Sequence, residues 1–238
     1  MGQVIILPET TKQPITTIGK MAGVCWGADT TDAAKNYKRG WNCIESGHGR
    51  TEEFPDVYME LDGYSARVIR EWYTHVGGMP TRLQASTRYI NYGNFEYIVP
   101  PSIENNADAL KEYMHCMDHI AFAARKLESI DIPREDAAML LPLGMTTRVV
   151  CKHNLRNLID MSRQRMCNRA FWEFRELFRD LSLALADYGE EWARIVNTQF
   201  YPKCEPFGLC PEKHGCGKYP GREPKYEGCP GREVRTCG

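Results

Sequence analysis

The sequence predicts an α/β or α+β fold, a central sheet flanked by long helices, and three observations carry that expectation. Short runs read as strands: VYMEL (57–61) alternates apolar and polar residues, and TTRVV (146–150) is strand-like. Between them lie long segments with apolar residues at helical spacing, over 103–130 and from 154 to about 197. Residues 201–238 follow neither pattern, being rich in Cys, Gly, Pro and charge. The expected organisation is therefore one domain over 1–200 and a cysteine-rich tail over 201–238.

Taken in order, 4–7 is a short β-like run, and TDAAKNYKRGWNCIES (31–46) reads as a helix capped by Thr or Asp. Residues 57–61 form a half-buried strand that Asp62-Gly63 ends. YSARVIREWYTHV follows as a helix, with Val68, Trp72 and Tyr73 at helical spacing. Residues 95–99 read as a strand closed by Pro100-Pro101, since proline cannot donate to a ladder. The helix over 103–130 carries Leu110, Met114, Met117, Ile120 and Ala121 on one face. Residues 140–150 end in TTRVV, and the pattern beyond 154 divides into two or three helices. No internal repeat or low-complexity tract lies outside the tail.

Composition narrows the function classes. With 42% hydrophobic and 26% charged residues the chain is that of a soluble globular protein. A formal charge of −1 gives no global attraction for a polyanion, so nucleic acid is not an expected partner and any phosphate recognition must be local. No run approaches a membrane span, and MGQVIILPET lacks the basic start and cleavage site of a secretory signal, so the expected location is cytoplasmic with no membrane partner. Five cysteines (Cys25, Cys43, Cys116, Cys151, Cys167) are scattered through patterned segments, where small core residues are expected.

Two stretches carry chemistry. The first is YTHVGGMPTRLQASTRY (73–89), where glycines allow close backbone approach and Arg82, Gln84, Ser86, Thr87 and Arg88 offer donors for a heterocycle or a phosphate. The alternative is a polar surface loop whose arginines meet solvent or carboxylates. The second is KHNLRNLIDMSRQRMCNRAFWEFRE (152–176). Arg165 falls on the same helical ridge as Leu158, Met161 and Trp172, where an apolar residue is expected, and a guanidinium there needs an anion. Arg156 and Arg163 align a second pair of donors, and Asn154 can cap the helix and offer free N–H groups. Against this, the arginines could snorkel from the stripe edge or pair with Glu173 and Glu176.

In these residues the chain resembles the flavin-dependent thymidylate synthases. The likeness spans 45–176 and rests on GHGRTEEF (47–54), REWYTH (70–75), ASTRY (85–89), LPLG (141–144), NLRNLIDMSRQR (154–165) and AFWEFREL (170–177), in that order. The resemblance implies an antiparallel-rich sheet and a homotetramer with FAD where subunits meet. It also implies NADPH as reductant, methylenetetrahydrofolate as carbon donor and deoxyuridylate as substrate. It assigns Arg50, His75, Asn154, Arg156 and Asp160 to the flavin nucleotide. Glu71, Arg82, Gln84, Ala85, Ser86, Thr87 and Arg88 go to deoxyuridylate, with the loop lent by a neighbouring subunit. Arg165 would both bind and activate the uracil, a role suited to a poorly solvated guanidinium. No cysteine nucleophile is required, and no cysteine here sits in a recognisable Cys/His pattern.

The chain departs from the family in three guanidinium groups. The signature Arg-His-Arg, seven residues, Ser is Thr74-His75-Val76 followed by nine residues before Ser86, and Ala138 stands where an arginine is usual. Each loss would remove about 1.5–3 kcal/mol of charge-assisted hydrogen bonding if buried. Either the expansion around Gly77-Gly78 lets Arg82 enter the vacated place, helped by Lys152 or Arg148, or the site takes another pyrimidine deoxynucleotide or no longer turns over. The complete ASTRY and 154–165 elements favour compensation. His75 itself reads equally as a structural histidine and as a flavin or folate contact.

In the tail, Cys204, Cys210 and Cys216 are separated by five residues each, with His214 near and Cys229 and Cys237 beyond. These could close a tetrahedral metal site, form disulfides on oxidation, or stay free thiols in a lid.

Overall fold

The computed structural model describes residues 2–221; Met1 and residues 222–238, which include Cys229 and Cys237, lie outside the described residues. Four strands form one antiparallel sheet in the order β1-β2-β4-β3: β1 is Gln3–Ile6, β2 Asp56–Ser65, β3 Thr81–Gln84 and β4 Thr146–Asn154. Strict alternation makes β4 two-faced. Thr147, Val149, Cys151 and His153 are buried under helices, while Arg148 and Val150 are exposed on the opposite side.

The helices are α1 Pro14–Cys25, α2 Ala33–Glu45, α3 Ala66–Trp72, α4 Pro101–Glu104, α5 Ala107–Glu128, α6 Arg134–Ala137, α7 Leu155–Arg165, α8 Trp172–Tyr188 and α9 Glu190–Gln199. Asp32, Ser65, Asn106 and Asn154 cap α2, α3, α5 and α7, each accepting a hydrogen bond from the backbone N–H three residues on. The main core lies between the sheet's covered face and α1, α2, α3 and α7–α9, with Trp72, Leu158, Met161, Phe174, Phe178 and Trp192 fully buried. Helix α1, which the sequence reading left unassigned, packs on α2 through two glycines. A Cβ on Gly19 would lie 1.7 Å from the Asn36 carbonyl oxygen, and one on Gly40 1.9 Å from that of Ile15.

The structure corrects several expected boundaries. Strand β2 does not end at Asp62-Gly63: Gly63 takes φ +74° and forms a bulge, so Tyr64 and Ser65 still pair with Thr147 and Thr146. Segment 95–99 is not a strand. Strand β3 already holds the free edge of β4 from Val149 to Lys152, which leaves Tyr97 a single bridge to Met145. The helix over 103–130 is broken at Asn105-Asn106, where Asn106 caps α5. The seven-residue ridge ends at Arg165, the last residue of α7, so Trp172 belongs to the next helix. Of the scattered cysteines Cys43 and Cys151 are core residues, while Cys25 and Cys116 are exposed and Cys167 is intermediate. No helix among the described residues is long and apolar enough to cross a membrane.

Candidate active site

A chain of hydrogen bonds ties α3 to the start of α7. Trp72 Nε1, which can only donate, reaches His153 Nε2 at 3.0 Å, so the proton of His153 sits on Nδ1 and is donated to Asn157 Oδ1 at 2.5 Å. The Asn157 backbone N–H in turn donates to Asn154 Oδ1 at 2.9 Å. Burial keeps His153 neutral, its pKa pushed down to about 4. Asn154 is itself buried beneath Gly78, where φ is +70° and a Cβ would stand 2.2 Å from its Nδ2. The Gly77-Gly78 pair therefore lets the loop lie flat on the helix end. Of the roles expected for Asn154, the structure gives it capping.

The C-terminal end of α7 carries a second cluster. Arg165 donates from Nε to His75 Nε2 at 2.8 Å and from Nη1 to Glu71 Oε2 at 3.0 Å. Its guanidinium lies 4.5 Å from the centroid of Phe174, against whose ring His75 packs edge-on. Accepting from an arginine requires an unprotonated Nε2, and burial followed by the charges of Arg165 and Arg82 lowers the His75 pKa to about 4. The Arg165 side chain keeps 20% exposure and lines a cavity of about 640 Å³ together with Asp160, Arg163 and Gln164.

Along the same helix, Arg156 crosses Gly49, whose Cβ would meet its Nη1 at 2.6 Å, and pairs with Glu53 at 3.6 Å. Gly49–Glu53 is a 3₁₀ turn that also buries Glu52. Burial raises the Glu52 carboxyl above its usual range, opposed by the nearby positive charges of Arg156 and Arg163. Arg50, on this turn, is exposed. Arg163 stacks 3.5 Å from the centroid of Tyr201, and its Nη1 is buried without a hydrogen-bond partner among the described residues. Of the expected flavin residues, Asp160 thus lines the cavity with Arg165, His75 stands directly behind it, and Arg156 and Arg50 lie toward the opposite end of α7.

The 82–88 loop divides. Arg82 and Gln84 stand opposite Cys151 and Val149 across the sheet and so face the helices. Arg82 folds back onto Tyr73, donating to its carbonyl at 2.9 Å and lying 4.5 Å from its ring centroid, while Gln84 donates to Thr147 Oγ1 at 3.3 Å. Lys152 and Arg148 occupy the other face, paired with Asp56 at 3.2 Å and Glu60 at 2.6 Å, so they do not assist Arg82 within one chain. Ala85 donates its N–H to the Arg148 carbonyl at 2.8 Å, Ser86 Oγ accepts from the Arg88 N–H at 3.2 Å, and Arg88 pairs with Glu135 at 2.6 Å. Thr87 lies in a narrow cleft with Ala138 and Arg134. Arg134, one turn before Ala138, donates to the Tyr89 carbonyl at 2.9 Å. Neither it nor the Trp72–His153–Asn157 chain was singled out from the sequence, although PREDAA and KHN contained the residue types.

Of the alternatives for the tail, the metal set does not assemble: among the described residues no three His, Cys, Asp or Glu side chains come together to hold an ion, and Cys204, Cys210 and Cys216 are free thiols. Cys204 and Cys210 are buried and Cys216 is exposed, and burial first, then the neighbouring Cys167 and Cys210, raises the Cys204 thiol. A second cavity of about 320 Å³, between Tyr64, Tyr97, Trp172 and Asp180, contains none of the expected site residues.

In an antiparallel sheet backed by helices, a cavity walled by a half-dry arginine that a neutral histidine and a carboxylate hold in place can receive an anionic group. The family model described as thymidylate synthase complementing protein matches residues 7–186, and the chain belongs to that family. It is 29% identical over 194 residues to a flavin-dependent thymidylate synthase of Nitratidesulfovibrio vulgaris, covering 76% of this chain and 75% of the relative. The corresponding enzyme of Pyrococcus furiosus is 25% identical, with 88% and 89% covered. That of Clostridium tetani is 24% identical, with 92% and 94% covered.

Proposed function

We propose that this chain is a flavin-dependent thymidylate synthase, a methyltransferase that converts deoxyuridylate to thymidylate in the cytoplasm as a homotetramer. Methylenetetrahydrofolate would be the carbon donor and NADPH the reductant. The observation that carries the reading is Arg165: it ends a family-matched helix on the wall of a cavity, its Nε fixed by a histidine that must be neutral to accept. Most of its charge is therefore directed by Glu71 and Phe174 rather than by water, and a uracil placed there would be stabilised in its negatively charged form.

A flavin dinucleotide fits the residues present. The Nη1 of Arg163 is buried without a hydrogen-bond partner among the described residues and would take an oxygen of the dinucleotide as acceptor, and Arg156, Asp160 and Arg163 lie together beside Glu52 along α7. When bound, FAD supplies the hydride that completes the methyl group. The chain's own part is to bind and polarise: Arg165 on the pyrimidine, Arg156 and Asp160 on the dinucleotide, and the 82–88 loop on a nucleotide shared with a neighbouring subunit. Arg82 would compensate for the lost signature arginines, since it lies on the helix-facing side of the sheet, folded against Tyr73. The apolar side chains left open on this region, Met79, Leu83, Tyr89 and Met139, agree with a partner subunit covering it.

The test is the visible spectrum of the purified protein together with tritium release from carbon 5 of labelled deoxyuridylate. A flavin spectrum and folate-dependent release are expected. A colourless protein that cannot be reconstituted with FAD ends the reading, and release only from deoxycytidylate would transfer it to another pyrimidine.

A further inference from the structure

The family match ends at residue 186, yet the cavity beside Arg165 is not closed by matched residues alone. Its remaining wall includes Lys203 and Glu212 from the tail, opposite Arg169 in the connection between α7 and α8. The tail is seated there by specific contacts. Lys203 donates its backbone N–H to the Arg163 carbonyl at 3.1 Å, Tyr201 stacks under the Arg163 guanidinium, and Arg169 donates to the His214 carbonyl at 2.5 Å.

At the rim, two cations share one carboxylate. Glu212 is bonded by Lys203 Nζ and lies 3.9 Å from Arg169 Nη1, and these partners hold its carboxyl below the usual carboxylate range. All three side chains are between a third and a half exposed, so the contact is solvated and exchangeable. Arg165 is engaged by Glu71, and the Nη1 of Arg163 is buried without a hydrogen-bond partner among the described residues. The wall as a whole sets Arg163, Arg165, Arg169 and Lys203 against Asp160 and Glu212, an excess of positive charge in a chain whose net charge is −1.

We propose that Lys203 and Arg169 form a phosphate-binding subsite at the mouth of the Arg165 cavity, with Glu212 as an internal counterion that an incoming phosphate displaces. The phosphate monoester of a nucleotide brings three acceptor oxygens and up to two negative charges, and the pyrophosphate of a dinucleotide four and two, where the carboxylate brings two oxygens and one. It can take both the ammonium and the guanidinium at once, and Glu212 swings into solvent. The tail thereby becomes a ligand-binding part of the enzyme instead of an appendage. The identity of the phosphate rests on the thymidylate synthase reading: it belongs either to the dinucleotide cofactor or to the nucleotide substrate.

The experiment measures binding of inorganic pyrophosphate, FAD and deoxyuridylate to the full chain at fixed ionic strength, by calorimetry and by shift of the melting temperature. Lys203→Gln should weaken binding at least tenfold, and Arg169→Gln should do the same. Glu212→Gln should tighten it several-fold by releasing both cations. These opposite signs separate a binding subsite from a merely structural clasp, in which all three variants would weaken binding together. Lys218→Gln, which breaks a pair with Glu205 elsewhere in the tail, should change nothing. Weakening confined to FAD assigns the subsite to the dinucleotide, and weakening confined to deoxyuridylate assigns it to the substrate. If Lys203→Gln binds all three probes like the wild type, or Glu212→Gln weakens binding, the proposal is overturned while the function stands. Lys203-dependent binding of pyrophosphate without binding of FAD or deoxyuridylate would keep the subsite and remove the proposed function.

Discussion

The two ends of the molecule carry equally strong apolar patterns and bury them very differently. Around α7 and α8 each apolar face finds a partner: Leu158, Met161, Phe174, Leu177 and Leu181 are all fully buried, and Trp72, His153, Asn157, His75 and Arg165 are joined by hydrogen bonds among them. Around α5, a helix of 22 residues, only Met117 and Ala124 are buried, and the satellite core comprises Phe95, Met117 and Met145 with a few half-covered neighbours. Amphipathic spacing makes a helix and selects its inner face, but coverage depends on what the rest of the chain places there. The α7–α8 region buries its apolar faces within one chain, whereas the α5 region and the adjoining loop leave apolar side chains such as Met79, Leu83, Tyr89 and Phe122 open.

That contrast can be broken most directly by making one substitution at both ends. Phe174→Ala removes the ring under both Arg165 and His75 and should cost about 3–5 kcal/mol of stability in a denaturant melt. Phe122→Ala, on an exposed side chain of α5, should leave the unfolding free energy of the isolated chain within about 0.5 kcal/mol and show its effect in sedimentation as weakened assembly. Equal destabilisation by the two would erase the distinction between the regions.

Arg165→Ala tests whether the buried region is also the chemical one. Turnover should fall by about 10²–10³-fold. Circular dichroism should be unchanged, because the guanidinium lies at the helix end and not in the core. Full activity in this variant would remove Arg165 from catalysis.

A smaller effect should appear in the pH dependence of stability. His75 and His153 both have folded pKa values pushed down to about 4, while in the unfolded chain they titrate near 6.5. Between those values the unfolded state binds more protons, so stability should fall as pH drops from about 6.5 to about 4, with no contribution from these groups above pH 7. His153→Gln should flatten part of that slope; an unchanged slope would mean that the buried chain through Trp72 does not depend on neutral imidazole.

The smallest effect belongs to the open region. Arg88 and Glu135 form an exposed pair, and Arg88→Ala should change stability by less than about 1 kcal/mol. Its consequence should be confined to nucleotide affinity, measured with the assembled protein, and a large loss of stability would show that the loop is already locked in the single chain.

Most of the secondary structure was legible because local physics writes it directly. The β-branched run TTRVV marked β4, apolar spacing marked α5, α7 and α8, and the side-chain oxygens of Asp32 and Asn154 marked the helix starts. Misreadings fell where long-range pairing overrode local signals. Gly63 looks like a turn and becomes a bulge because β4 continues beside it, and residues 81–84 look like a loop and become an edge strand because β4 has a free edge. Segment 95–99, strand-like by itself, lost that edge to them.

For the site, the sequence by itself determined the chemistry available: the arginines of α7, their spacing, the glycine pair that lets a loop lie close, and the absent signature guanidinium groups. Only the tertiary structure decided which of these meet. Arg165 finds His75 and Glu71 from a helix some ninety residues away, Arg82 turns inward while Lys152 and Arg148 turn outward, and the tail brings Lys203 to the same cavity. The reason is physical: periodicity is a property of neighbours along the chain, whereas burial and charge pairing depend on neighbours in space, which strand order and helix packing select.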